Sequence, residues 1–386
     1  MPAIHAIQQD KPAINGRQLC FFAAFLIPVS KFLSAPAALA FFAKGDLLVP
    51  ALTHYLLQAA ILAVILFLAS RTDKSFFDLL SDTFGVLTAR IVYILYSLYF
   101  IFFMLLPILN VERFVYSAFF DTAPYLFAFT PFFFLSGFIC TKNLKSFGRC
   151  ADIAFPLFIV SFVGLMVLSV GEADFTNILP MFGTPFKSTG NAIVRTFGQF
   201  SDTALFLPLL GTYRYKKGDG KKIMLSYGLG AVFVLFFLAV FYGIFASLAP
   251  KQPYAFAKIG QYFGALSVVG RFDLLLTYLM TVVLLFYCCF PLQLSVHCFC
   301  KAVNTERKVW VSAALNIGLL AFSILSTKYY NVLYETIMGK LFWIFILFAD
   351  LVPLLALCLR RRDSGKEAPK KKKNEKGGNL CIAEIP

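Results

Sequence analysis

Apolar stretches of about twenty residues, separated by short charged connections, set the pattern of this chain from residue 19 to residue 359. About 20 apolar residues rising 1.5 Å each cross a hydrocarbon layer of roughly 30 Å, so every such run predicts one membrane-spanning helix. Seven runs are free of charge: Leu47–Ala69, Ile91–Val111, Ala123–Thr141, Ile153–Gly171, Ile223–Pro250, Leu274–Cys300 and Val309–Thr327. Three more carry one or two charges: Leu19–Ala43 with Lys31, Thr196–Leu210 with Asp202, and Thr336–Leu359 with Lys340 and Asp350. Ten spans are expected, numbered here 1 to 10 in chain order, and the charged ones are spans 1, 6 and 10. Barrel strands would alternate over only about ten residues. The expected fold class is therefore an all-α polytopic membrane protein.

Composition agrees. The 386 residues are 59% hydrophobic and 14% charged, with a mean hydropathy of +0.77, whereas soluble domains spend about a quarter of their residues on charge. A water-soluble enzyme is excluded. The net charge of +15 would suggest nucleic acid in a soluble chain, but here the cations lie between the apolar runs. With the N-terminus inside, 25 Lys and Arg fall on inner connections and termini and seven on outer ones. That asymmetry follows the positive-inside rule and places both termini in the cytoplasm. No nucleic-acid partner is expected.

Three regions follow: a cytoplasmic segment 1–18, a ten-helix domain 19–359, and a basic tail 360–386. The start of the chain is polar and mixed in charge, unlike a cleaved signal. Nine cations in the tail give it an attraction to anionic lipid of the inner leaflet, and the same cluster reads equally as a stop-transfer signal. None of the nine cysteines sits in a predicted outer loop, so no disulfide framework is implied. His297, Cys298 and Cys300 lack a second ligand cluster at zinc spacing. No metal or cofactor is expected.

Span 1 contains Pro28, Ser30, Lys31, Ser34, Ala35 and Pro36 where a simple span would be smooth. Proline removes a backbone donor and blocks the carbonyl one turn earlier, so a discontinuous helix is predicted. Span 6 repeats the theme in Gly198-Gln199-Phe200-Ser201-Asp202-Thr203, followed by Pro208 and Gly211. These two spans open the two halves of a ten-span chain, and five spans per half give the halves opposite orientation. Paired breaks in an inverted repeat point to a midplane site for a small polar ligand.

The candidate ligand-binding residues are Ser30, Lys31, Ser34, Ala35, Gln199, Ser201, Asp202 and Thr203 at the breaks, with Thr277 and Thr281 on one face of span 8. Lys31 and Asp202 sit near the middle of their spans, where an unpaired charge is costly. Either they face each other across the site, or each closes a local network with backbone carbonyls. Thr277 and Thr281 have the alternative of bonding their own preceding turn. Lys340 can reach outward, and Asp350 is expected near the inner end of its span.

Several of these features resemble the B-subunit family of bacterial spore germinant receptors, the endospore germination permeases of the amino acid–polyamine–organocation superfamily. The likeness is carried by Ile14-Asn15-Gly16-Arg17-Gln18-Leu19, the break at Ala35-Pro36-Ala37, and Arg149 to Pro156. It continues in Asn177-Ile178-Leu179-Pro180 with Gly183 and Pro185, in Gly198-Gln199-Phe200, and in Arg271-Phe272-Asp273. Together these cover most of residues 14–359. The resemblance implies a leucine-transporter-like 5+5 inverted repeat with helices 1 and 6 interrupted. It also implies a subunit in the spore inner membrane that recognises a small-molecule nutrient such as an amino acid. That subunit would signal germination with an A-type subunit and a lipoprotein C-type subunit. Lys31 stands where the family leads one to expect an uncharged residue, which brings an acidic ligand into consideration.

The competing reading is a proton-coupled secondary transporter of an amino acid or related solute, using Asp202 or Lys31. Fold alone does not separate the two, because a transporter accumulates substrate and a receptor needs only a ligand-dependent shift between states. A channel or an enzyme has less support: no filter sequence stands out, and His54 has no nucleophile or acid beside it in sequence.

Overall fold

Proline, glycine and small polar residues decide where these spans bend. The computed structural model describes residues 14–72, 74–119, 125–213, 215–262 and 272–356. Residues 1–13, Arg214, Arg271 and the basic tail with its lipid-binding expectation lie outside them. Among the described residues the secondary structure is helical apart from two isolated bridges, Ile14 to Tyr213 and Leu210 to Tyr213.

Six helices are long and apolar enough to cross a membrane. They are α3 (Leu48–Ala69), α5 (Val86–Phe119), α7 (Leu144–Ser169), α9 (Asp219–Phe245), α11 (Phe272–Val303) and α12 (Lys308–Ser326). Two bent pairs add to them. Span 1 is α1 (Gly16–Phe32) followed by α2 (Ala35–Ala43), bent by 64°, and span 10 is α13 (Tyr330–Lys340) followed by α14 (Phe342–Ala356), bent by 57°. Counting each pair once gives up to eight candidate spans. Span 4 appears as the shorter α6 (Tyr125–Cys140). Span 6 departs most from expectation: α8 (Phe186–Phe200) begins ahead of the apolar run and ends inside it, and short 3-10 turns follow. Two further short helices, α4 (Phe76–Phe84) and α10 (Ala255–Tyr262), occupy connections. The fold is thus an all-helical membrane protein with six to eight candidate spans, coarser than the expected ten-span repeat.

The 47 phenylalanines have a packing role. Apolar side chains gain little by leaving lipid for another helix, so association depends on close contact and specific geometry. Phe147 of α7 stacks on Phe290 of α11 at 4.2 Å, with Phe22 of α1 edge-on to Phe290 at 4.5 Å. Phe32 meets Phe237 of α9 at 4.7 Å, so rings hold α1 on both sides. Gly230 lets α9 close on the same helix: a Cβ there would meet Pro28 Cγ at 2.7 Å and the Ala23 carbonyl at 2.9 Å.

Candidate functional site

Local sequence opens both interrupted helices. Around Pro28, span 1 passes from α-helical into π and 3-10 turns, and it ends at Leu33. The Leu33 carbonyl accepts from the Ala255 amide of α10 at 3.0 Å, so a connection satisfies the broken backbone. Ser34 begins α2 without using its hydroxyl as a cap, and that oxygen accepts a long bond from Asn110 Nδ2 at 3.4 Å. In span 6, α8 ends at Ser201, whose hydroxyl donates to the Phe197 carbonyl at 2.9 Å. Asp202 and Thr203 then sit in a 3-10 turn.

The two breaks meet through an ion pair between Lys31 Nζ and Asp202 Oδ2, with side chains 1% and 3% exposed. Lys31 also donates to Ser30 Oγ at 2.9 Å, and the Tyr287 hydroxyl of α11 donates to Asp202 Oδ1 at 2.9 Å. The Phe200 ring lies 5.6 Å from Lys31 Nζ and stacks on His54 at 4.7 Å. His54 in turn bonds Thr196 at 3.0 Å. Buried charges persist when paired and further hydrogen-bonded, and both conditions hold here.

Beside the pair lies a small, partly open cavity with both polar and apolar walls. Its polar wall is Ser30, Ser34, Asn110, Gln199, Tyr287 and Tyr334, and its apolar wall includes Leu33, Phe103, Leu106, Leu284 and Met338. Among the described residues no Asp, Glu, Lys, Arg or His lines it. Gln199 Oε1 is buried and accepts no hydrogen bond among the described residues. Such an acceptor is costly unless a donor arrives.

Of the sequence candidates, Ser30, Ser34 and Gln199 are on the wall. Lys31 and Asp202 stand one residue behind it, touching the lining residues Ser30 and Tyr287. Ala35, Ser201 and Thr203 are buried off the wall. Thr203 donates to Gln58 Oε1. Thr277 and Thr281 are also off the wall: Thr281 donates to the Thr277 carbonyl at 2.7 Å, the turn-bonding alternative for a membrane helix. An acidic ligand finds no free cation in Lys31, which Asp202 already holds.

Asn110, Tyr287, Tyr334 and Gln58 are not among the sequence candidates, and Asp350 is named there only as a charge near the inner end of its span. Asn and Tyr inside long apolar runs give no local signal, although Pro107, three residues before Asn110 in α5, also lines the cavity. Asp350 is buried, and Gln58 Nε2 donates to it at 2.8 Å, while Lys340 is exposed. Beside the lining residue Tyr334, α13 is tied down twice. Arg195 of α8 pairs with Glu335 at 2.6 Å, and Tyr330 donates to Asn110 Oδ1 beneath the Arg113 guanidinium, 4.0 Å from its ring.

The site is thus an internal cavity beside two broken helices of an all-helical membrane protein. A family model described as spore germination protein matches residues 46–330, and the chain belongs to that family. The match takes in Gln58, Asn110, Asp202 and Tyr287, and leaves span 1 with Lys31, and most of span 10, outside it. None of the curated proteins compared matches the chain.

Proposed function

We propose that the chain is the membrane subunit of a spore germinant receptor, residing in the spore inner membrane with both termini cytoplasmic. It binds a small nutrient, an amino acid in the first instance, in the cavity where spans 1 and 6 break. It passes the bound state to an A-type subunit and a lipoprotein C-type subunit. One observation carries this reading: the cavity wall ends in Ser30 and Tyr287, and both are bonded to the buried pair that joins the two breaks. A ligand that takes the hydroxyl of either residue withdraws a bond from Lys31 or Asp202. The two broken helices then re-seat against each other, which is a differential interaction of the kind a population shift requires. A 5+5 inverted repeat belongs to the same proposal.

A second reading, proton-coupled transport, draws support from the carboxylate so close to the wall. The test is binding and uptake of labelled amino acids, acidic and neutral, by the purified protein in sealed liposomes with and without a proton gradient. Saturable binding without accumulation supports the receptor; gradient-driven accumulation supports the transporter. Neither binding nor uptake across the panel removes the amino-acid reading.

A further inference from the structure

A second buried carboxylate lies outside the cavity and outside the ion pair. Asp350 is 7% exposed and belongs to a π-helical stretch, Ile346–Leu351, in α14. Such one-turn widenings of a helix are concentrated at functional positions. Among the described residues no ion pair includes Asp350, and the nearby cation is already used, since Lys31 is held by Asp202 and Ser30. His54 is bonded to Thr196.

The groups that face Asp350 are neutral. From α3, Gln58 donates its amide to Asp350 Oδ1, while its own oxygen accepts from Thr203, the neighbour of Asp202. From α5, Tyr99 stacks on Phe348 at 4.8 Å and its hydroxyl is within electrostatic reach of Asp350, as is that of Tyr227 from α9. The Tyr99 hydroxyl is buried and engages nothing among the described residues. An isolated ionised carboxylate in an apolar interior is prohibitively costly, and such a group neutralises instead.

We propose that Asp350 is a proton-binding site, a neutral carboxylic acid in the resting protein, joined to the Lys31–Asp202 pair through Gln58 and Thr203. The step is Asp350 carboxylate plus one proton giving the acid. Loss of that proton leaves one uncompensated negative charge among spans 2, 6 and 10, which only water or a cation can relieve. Release of the proton therefore favours entry of water or a cation beside Asp350, while the Gln58 amide bond to it strengthens. The inference does not depend on which nutrient the cavity takes.

Infrared spectroscopy of the full-length protein in lipid bilayers tests it. Near neutral pH the wild type should show the carbonyl band of a buried protonated carboxylic acid, moving on exchange into D2O. Asp350→Asn should remove the whole band, and Asp202→Asn and Glu112→Gln should keep it. Asn has the shape of the protonated acid, so Asp350→Asn should also keep the wild-type melting temperature. Absence of the band from the wild type, or its survival in Asp350→Asn, overturns the proposal. So does its loss on replacing choline by sodium at constant ionic strength, which would make the site a sodium site. If Asp350→Asn does not fold, Asp350→Glu serves: a shifted band supports the assignment, and an unmoved band overturns it.

Discussion

Lys31 and Asp202, 171 positions apart in sequence, neutralise each other where the helices of spans 1 and 6 both give way. Each break exposes polar backbone, and each supplies one charge to the junction, so the two interruptions are structurally one feature. Removing one partner of a buried pair strands the other, at a cost of about 3–5 kcal/mol, whereas replacing both by apolar groups of similar size is often neutral. Lys31→Gln and Asp202→Asn should each lower thermal stability in detergent substantially, and Lys31→Met with Asp202→Leu should recover most of the loss. Single variants that melt with the wild type would mean that the pair does not hold the breaks together.

Gln199 is the opposite kind of residue, one whose buried Oε1 accepts no hydrogen bond among the described residues. Gln199→Leu deletes an unsatisfied buried acceptor, so stability should hold or rise. Ligand affinity should drop by about 10-fold to 100-fold, the equivalent of an unpaired donor on the ligand at about 1–3 kcal/mol. Equilibrium binding beside a melting curve separates the two effects, and unchanged affinity would place the ligand away from Gln199.

Gly198 sets how closely span 10 approaches α8. A Cβ at this position would lie 2.6 Å from Phe345 Cε2 and 2.9 Å from Met338 Sδ, closer than packed atoms tolerate. Gly198→Ala should cost about 1–3 kcal/mol as an overpacked contact, with part of the loss recovered by Phe345→Leu. A double-mutant cycle reads the coupling; additivity of the two changes would show that the approach is not the source of the cost.

The breaks in spans 1 and 6 were legible because their causes are local: Pro28, Pro36, Gly198 and a charge in mid-span are visible in any window of the chain. The bend of span 10 was not. Its two halves join at Leu341 with no proline between them, and the winding is set by what packs there: Arg195 on Glu335, Phe345 on Gly198, and Gln58 on Asp350. Likewise Tyr287 and Asn110 look like ordinary members of apolar helices until the fold aims them at Asp202 and Ser34. Asp350 was visible as a charge, but its partner Gln58 lies 292 positions away, and no periodicity spans that distance. The apolar run of span 6 starts at Thr196, whereas α8 starts at Phe186, because Lys187 and Arg195 lie in a helical stretch that hydrophobicity alone does not mark.

Asp46 offers a test of the connection between α7 and α8. Its carboxylate accepts the Phe182 and Thr184 amides, both at 2.6 Å, and holds Phe182 at a φ of +64° with its ring 77% exposed. A β-carbon is strained in that region, so the clamp maintains a conformation the residue would otherwise leave. Asp46→Ala should release the segment between Pro180 and Pro185 to limited proteolysis while the helices stay intact. Phe182→Gly should keep it closed. Equal cleavage of wild type and Asp46→Ala would assign the loop conformation to other contacts.

Arg195 and Glu335 form the same chemical pair as Lys31 and Asp202 but in a different medium. Their side chains are 32% and 64% exposed, where water and salt screen the charges. Exposed pairs contribute about 0.2–1 kcal/mol, so Glu335→Gln should barely change the melting temperature. The coupling measured by a double-mutant cycle should shrink as salt rises and the screening length falls from about 10 Å at 0.1 M to about 3 Å at 1 M. Because this pair ties α13 to α8 beside the lining residues Tyr334 and Gly198, Glu335→Gln should instead speed ligand release, read as a faster dissociation rate at unchanged stability. A salt-insensitive coupling well above about 1 kcal/mol would contradict this, since it would place the pair in dry surroundings and make it part of the core.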